Sequence, residues 1–131
     1  MAARGPAYKL EDFVAACSEA ASVFVLRSAM ATAPADFGLQ TEQAVRDFIG
    51  AGGLEQPAHA NTAPWEKNPD PAAAIPVDSY DFFSGPDPGY LAFMHQPKTG
   101  RWLVKSLKKN DKPDPRPRLL ADKLRKAGLI G

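Results

Sequence analysis

The segment Lys105-Ser106-Leu107-Lys108-Lys109-Asn110 places three ammonium groups within five positions, and Tyr90, His95, Lys98 and Arg101 fall close to it in any hairpin that joins the two stretches. Cleaving RNA without a metal needs a group to take the proton of a 2′-hydroxyl. It also needs cations around the pentavalent phosphorane and a donor for the leaving oxygen. Lys, Arg, Tyr and His can divide those roles, and this hairpin supplies all four. The same residues have plainer readings. Lys105 and Lys108 fit solvated strand-edge lysines that blunt edge pairing. Tyr90 fits half-buried packing, and His95 opposite Trp102 fits a surface aromatic pair.

Other chemistries find no pattern in the sequence. There is no HExxH, no paired Asp-x-Asp and no clustered histidine for metal-dependent hydrolysis. The glycines at 50, 52 and 53 follow a helical pattern where a dinucleotide fingerprint requires a strand. No G-x-S-x-G elbow occurs. Cys17 is the single cysteine and stands in an apolar run of helical type, which reads as a structural thiol in a reducing compartment. With His59 and His95 as the only imidazoles, a closed structural zinc site would need distant carboxylates. No metal and no cofactor are expected.

Charge gives the clearest statement about partners. Residues 1–100 hold six Lys/Arg against twelve Asp/Glu, whereas residues 101–131 hold ten against three, so a net −6 body precedes a net +7 end. Such polarity suits a polyanion, either nucleic acid or an acidic protein. A basic helix that neutralises the acidic body of the same molecule would look alike. On the nucleic-acid reading, Lys98, Arg101, Lys105, Lys108 and Lys109 hold phosphates, and Lys112, Arg116 and Arg118 extend the surface along the tail. Met1 to Lys9 lacks the apolar core of an export signal, and no apolar run approaches the ~18 residues of a membrane span. The expectation is a cytoplasmic protein with no membrane partner.

Positioning these groups falls to a single domain of 131 residues and α+β class. Leu10, Phe13, Val14, Cys17, Ala20 and Ala21 recur at three-and-four spacing and predict a helix over 10–21, with Glu11 and Asp12 at its positive end. Val23 to Arg27 fits a short strand or the opening of the next helix. Ala29 to Ala33 reads as helical, Pro34 disturbs it, and Gly38 is a C-terminal cap. Thr41 is an N-cap for a helix carrying Ala44, Val45, Phe48 and Ile49 on one stripe and closed by Gly50. These make 1–52 the helical part. Residues 53–76, with five prolines and no sustained period, read as a long loop pinned by Trp65.

Strand patterns follow at 77–83, 89–96 and 101–107, separated by a turn at 86–89 and a four-residue loop at 97–100. They predict a small antiparallel sheet packed by the N-terminal helices. If Gln96 faces Arg101, then Leu91, Phe93, His95, Trp102, Val104 and Ser106 share one face, with Tyr90, Ala92, Met94, Leu103, Lys105 and Leu107 on the other. Pro113, Pro115 and Pro117 form an extended basic spacer leading to a last basic helix over 119–129.

The order of short motifs resembles the MqsR family of toxin–antitoxin endoribonucleases, within the wider RelE-like group. The matching pieces are Tyr8-Lys9-Leu10-Glu11-Asp12-Phe13, Asp36-Phe37-Gly38-Leu39, the helix through Val45 and Ile49, Asp78-Ser79-Tyr80, Gly89-Tyr90-Leu91 and Ser106-Leu107-Lys108. The resemblance spans 8–109 and implies a compact α+β fold, metal-free cleavage of messenger RNA and inhibition by a cognate antitoxin protein. It implies catalytic roles for Tyr90 and Lys108. The family's Asp-Phe-Tyr-Lys-Ser segment has no counterpart, since the proline-rich stretch replaces it, and Lys67 is the candidate for its lysine. The tail from 110 on also lies outside the family's pattern. A rival reading is a non-catalytic binding or inhibitor protein, of phage or bacterial origin, gripping an acidic protein or nucleoprotein through the same basic face.

Overall fold

The computed structural model describes residues 5–69 and 74–110. The basic spacer and last helix expected over 113–129, with Lys112, Arg116 and Arg118, lie outside the described residues.

The fold is α+β, with four short helices and five strands. In chain order these are α1 (Leu10–Ala16), β1 (Val23–Val25), α2 (Arg27–Met30), α3 (Ala33–Phe37), α4 (Glu42–Gly50), β2 (Glu55–Pro64), β3 (Pro76–Ser84), β4 (Asp87–Gln96) and β5 (Arg101–Lys109). One sheet runs β1-β5-β4-β3-β2. It is mixed rather than purely antiparallel, because β1 lies parallel to β5 while the other neighbours are antiparallel. The β-branched Val23 and Val25 bury one side of β1 and thereby settle the open reading of 23–27 as a strand that hands over to a helix at Arg27.

Helix limits follow local chemistry. α1 stops at Ala16, short of the predicted 21, and a 3-10 turn at Ala20–Ser22 leads into β1. Pro34 sits in the first turn of α3, where its missing N–H costs nothing, so it starts a helix instead of breaking one. Gly38 ends α3 at φ +71°, and the Thr41 hydroxyl accepts the Ala44 N–H at 3.0 Å to cap α4.

The long loop expected over 53–76 is largely a strand. β2 pairs only with β3 and is therefore a sheet edge, where Pro57 and Pro64 can turn their missing donors away from the ladder. Two register irregularities, between Glu55 and Ala58 and between His59 and Asn61, erase the period-two pattern that would have marked it. Trp65 follows, its N–H bonded to the Ile75 carbonyl at 2.8 Å. The β3–β4 turn is also tighter than predicted, since Ser84 already faces Asp87 and Gly85 takes φ +61°. Gly89 belongs to β4, and a Cβ there would stand 2.4 Å from the Phe82 ring.

The helices cover one face of the sheet. Phe13, Cys17, Ala29, Ala33, Val45 and Ile49 meet Tyr80, Phe82, Leu91, Phe93, Val104 and Leu107 in the main core, with Phe13 stacked on Phe93 at 4.1 Å. The other face carries a smaller cluster of Ile75, Val77, Ala92, Met94 and Leu103, against which Leu26, Trp65 and Tyr90 pack.

Candidate functional site

The β4–β5 ladder builds the site. From Gln96–Arg101 to Phe93–Val104 the partners keep the expected register, then one residue is gained, and Ala92 faces Ser106, Leu91 faces Leu107 and Tyr90 faces Lys108. Lys105 is the extra residue of this β-bulge. The bulge corrects the predicted faces. Leu107 turns into the main core beside Leu91, while Ser106 and Lys108 join Tyr90, Ala92 and Met94 on the face away from the helices. Lys108 Nζ lies 5.6 Å from the centre of the Tyr90 ring, a cation–π distance.

Three side chains from the helical layer hold β5 in place. β1 is too short to pair beyond Val104, and there the hydroxyl of Ser28 donates to the Lys105 carbonyl. The Thr32 hydroxyl donates to the Leu107 carbonyl at 2.8 Å, and the Asp36 carboxylate accepts the Lys109 N–H at 3.0 Å. Spaced four apart, on α2, just before α3 and on α3, these residues continue the ladder where a strand would otherwise lie. On the other side Asn110 donates its N–H to the Pro88 carbonyl and its amide to Asp81 Oδ1 at 2.8 Å.

Tyr90 and Lys105 line a cavity of about 140 Å³ together with Asn61, Glu66, Ser79 and Ala92. Among the described residues no carboxylate comes within ion-pair distance of Lys105 or Lys108. No described carboxylate offsets their charge. Further along the same face the Arg101 guanidinium rests over the Phe24 ring at 4.5 Å, and Phe24 is the large apolar side chain most exposed among the described residues. A row of cations interleaved with aromatic faces thus runs along β5 on the side away from the helices. Phosphates and unstacked bases bind such a surface by charge and stacking.

Other expected members stand apart. His95 is five residues from Tyr90 along β4, roughly 16 Å by strand rise, and points to the opposite face, where it meets Trp102 edge-on at 4.9 Å. Its place is with Trp102 rather than with Tyr90 and Lys108. Lys67 is exposed in the turn after β2, next to the cavity-lining Glu66. Lys98 is exposed in the 97–100 loop, and Lys109 is exposed one position beyond the row.

A second polar cluster had only a motif to mark it. Asp78 is fully buried on the helix side of β3, and its carboxylate accepts the N–H groups of Ala7 and Tyr8, both at 2.9 Å, and the Thr62 hydroxyl at 2.6 Å. Since Thr62 spends its proton on Asp78, His59 Nε2 at 2.8 Å must donate to that oxygen. Tyr8 also donates its hydroxyl to the Pro76 carbonyl. Burial, followed by the Asp78 charge, pushes the Tyr80 hydroxyl above its ordinary range. Burial likewise raises Tyr8, partly offset by the backbone of His95. The cluster ties the segment before α1 to the strand that presents Ser79 to the cavity. Its sequence signal was an Asp on the face that β3 otherwise fills with Tyr80 and Phe82. Cys17, in the core, has its thiol pushed up to about 12 by burial.

The chain matches no family model, and neither a curated protein nor a solved structure is significantly similar to it. Among the described residues no three His, Cys, Asp or Glu side chains group closely enough to hold a metal ion, and no helix is long and apolar enough to cross a membrane.

Proposed function

We propose that the protein is an endoribonuclease that binds single-stranded messenger RNA along β5 and cleaves it without a metal ion, acting as a toxin held in check by an antitoxin protein. The observation that carries this reading is the facing pair Tyr90 and Lys108, with Lys105 bulged toward the same cavity and neither ammonium neutralised by a described carboxylate. Arg101 over Phe24 supplies a phosphate contact beside a stacking surface upstream. At the scissile phosphate Lys108 offsets the charge that builds on the non-bridging oxygens, and Tyr90 is placed to hand its proton to the departing 5′-oxygen. The motif order shared with the MqsR family supports the same chemistry.

The position of His95 favours a second reading. With the imidazole on the far face, the surface also suits a protein that grips RNA or an acidic partner and cleaves nothing. Incubating the full chain with labelled messenger RNA decides between the two. Fragments ending in 2′,3′-cyclic phosphate are expected, together with growth arrest when the protein is induced in a bacterial host. Intact RNA at every condition, alongside stoichiometric capture of one protein, would establish the binding role instead.

A further inference from the structure

Removing His95 from the site leaves the 2′-hydroxyl without a proton acceptor. Lys108 and Lys105 are assigned to the charge on the phosphate, and Tyr90 is already engaged at the leaving oxygen. Around the cavity the titratable groups are Tyr90 from β4, Lys105 from β5 and Glu66 from the turn after β2, with Lys67 next in that turn. β2 and β3 add Asn61, Ala63, Pro64, Val77 and Ser79, none of which titrates in water.

We infer that Glu66 is the general base of the cleavage, which rests on the ribonuclease reading above. Three observations converge on it. Glu66 lines the same cavity as Tyr90 and Lys105. It forms no ion pair with Lys67 or Lys105 among the described residues. Third, it is exposed, so solvent can carry away the proton it takes up. The step balances without a co-reactant. The 2′-hydroxyl proton moves to the Glu66 carboxylate, the freed oxygen bonds to phosphorus, the P–O5′ bond breaks, and the 5′-oxygen takes the proton of Tyr90. A 2′,3′-cyclic phosphate and a 5′-hydroxyl result, and proton exchange with water restores both groups.

Single-turnover cleavage of a short end-labelled RNA by the full chain tests this. Glu66→Gln is expected to slow cleavage by roughly 10²-fold or more while keeping RNA affinity within about twofold, and to lose the acid limb of the pH–rate profile. Glu66→Asp should recover part of the rate. An unchanged thermal melt confirms folding, as expected for an exposed turn residue. Wild-type rate in Glu66→Gln, an acid limb that persists in it, or a loss confined to affinity overturns the assignment. If Tyr90→Phe and Lys108→Ala slow cleavage while Glu66→Gln does not, only the role of Glu66 falls. If the wild-type chain cleaves nothing, the ribonuclease reading falls and takes this inference with it.

Discussion

Lys108 stands directly opposite Tyr90 in the β4–β5 ladder, its ammonium 5.6 Å from the ring centre. Both project from paired positions of neighbouring strands, so the backbone ladder sets their spacing. Tyr90→Phe and Lys108→Ala should each lower the cleavage step by about 10²-fold or more, with affinity close to wild type. Single-turnover rates beside filter-binding constants measure the split. Full activity in the double variant would remove the pair from the mechanism.

Binding should separate from chemistry along β5. Arg101→Ala, Lys98→Ala and Lys109→Ala are expected to weaken RNA affinity with little effect on the rate at saturation. Each lost phosphate contact should also flatten the salt dependence, by roughly 0.7 in log–log slope on a single strand. Lys109 lies off the row and should matter least. Titrations at several salt concentrations read this out, and an unchanged slope in Arg101→Ala counts against the assignment of phosphates to this face.

Cleavage should continue in EDTA, because the proton transfers and charge stabilisation are assigned to side chains. Complete loss on chelation with recovery on adding Mg²⁺ would show that a metal carries one of those roles.

Asp78→Ala should unfold the protein more readily, by about 2–4 kcal/mol in urea, since the N–H groups of Ala7 and Tyr8 lose their buried acceptor. Thr32→Val is expected to be milder, about 1 kcal/mol. It should also slow cleavage more than Ser22→Ala does, because Thr32 fixes the backbone beside Lys108. Equal cleavage in the two variants would leave Thr32 with a role in stability alone.

Cys17 gives the pH prediction. Its thiol ionises near 9 in the unfolded chain and near about 12 in the fold. Above pH 9 the unfolded state therefore holds fewer protons, so this stabilisation is complete below pH 9 and is lost as pH rises toward about 12. A Cys17→Ala variant should show a shallower alkaline loss of melting temperature. The native thiol should resist disulfide reagents at pH 8 and react once urea unfolds the chain.

What could be read in advance followed from local signals. The four-residue loop at 97–100, the Thr41 cap, Gly38 in the left-handed region and the three strands after residue 76 each rest on residues that dictate their own conformation. β2 was hidden because its prolines and two irregularities break alternation, and an edge strand tolerates both. Tyr90 and Lys105 were legible as sharing a face, but Lys108 opposite Tyr90 was not, since that pairing depends on one inserted residue. His95 takes the face beside Trp102 that strand alternation gave it, opposite to that of Tyr90. Ser28, Thr32 and Asp36 carried a signal in their spacing of four, yet the strand they serve lies more than seventy residues away.

The bulge at Lys105 decides which face of the sheet each later residue of β5 takes. Substituting Lys105 changes one charge. Deleting it would close the bulge and leave Ser106, Leu107 and Lys108 opposite Ala92, Leu91 and Tyr90, whereas pairing the full-length strand without a bulge would turn the position of Lys108 toward the main core and that of Leu107 out of it. Related sequences that keep this surface should therefore either hold the count of residues from the 97–100 loop to Asn110 together with the bulge, or lack one residue and the bulge together.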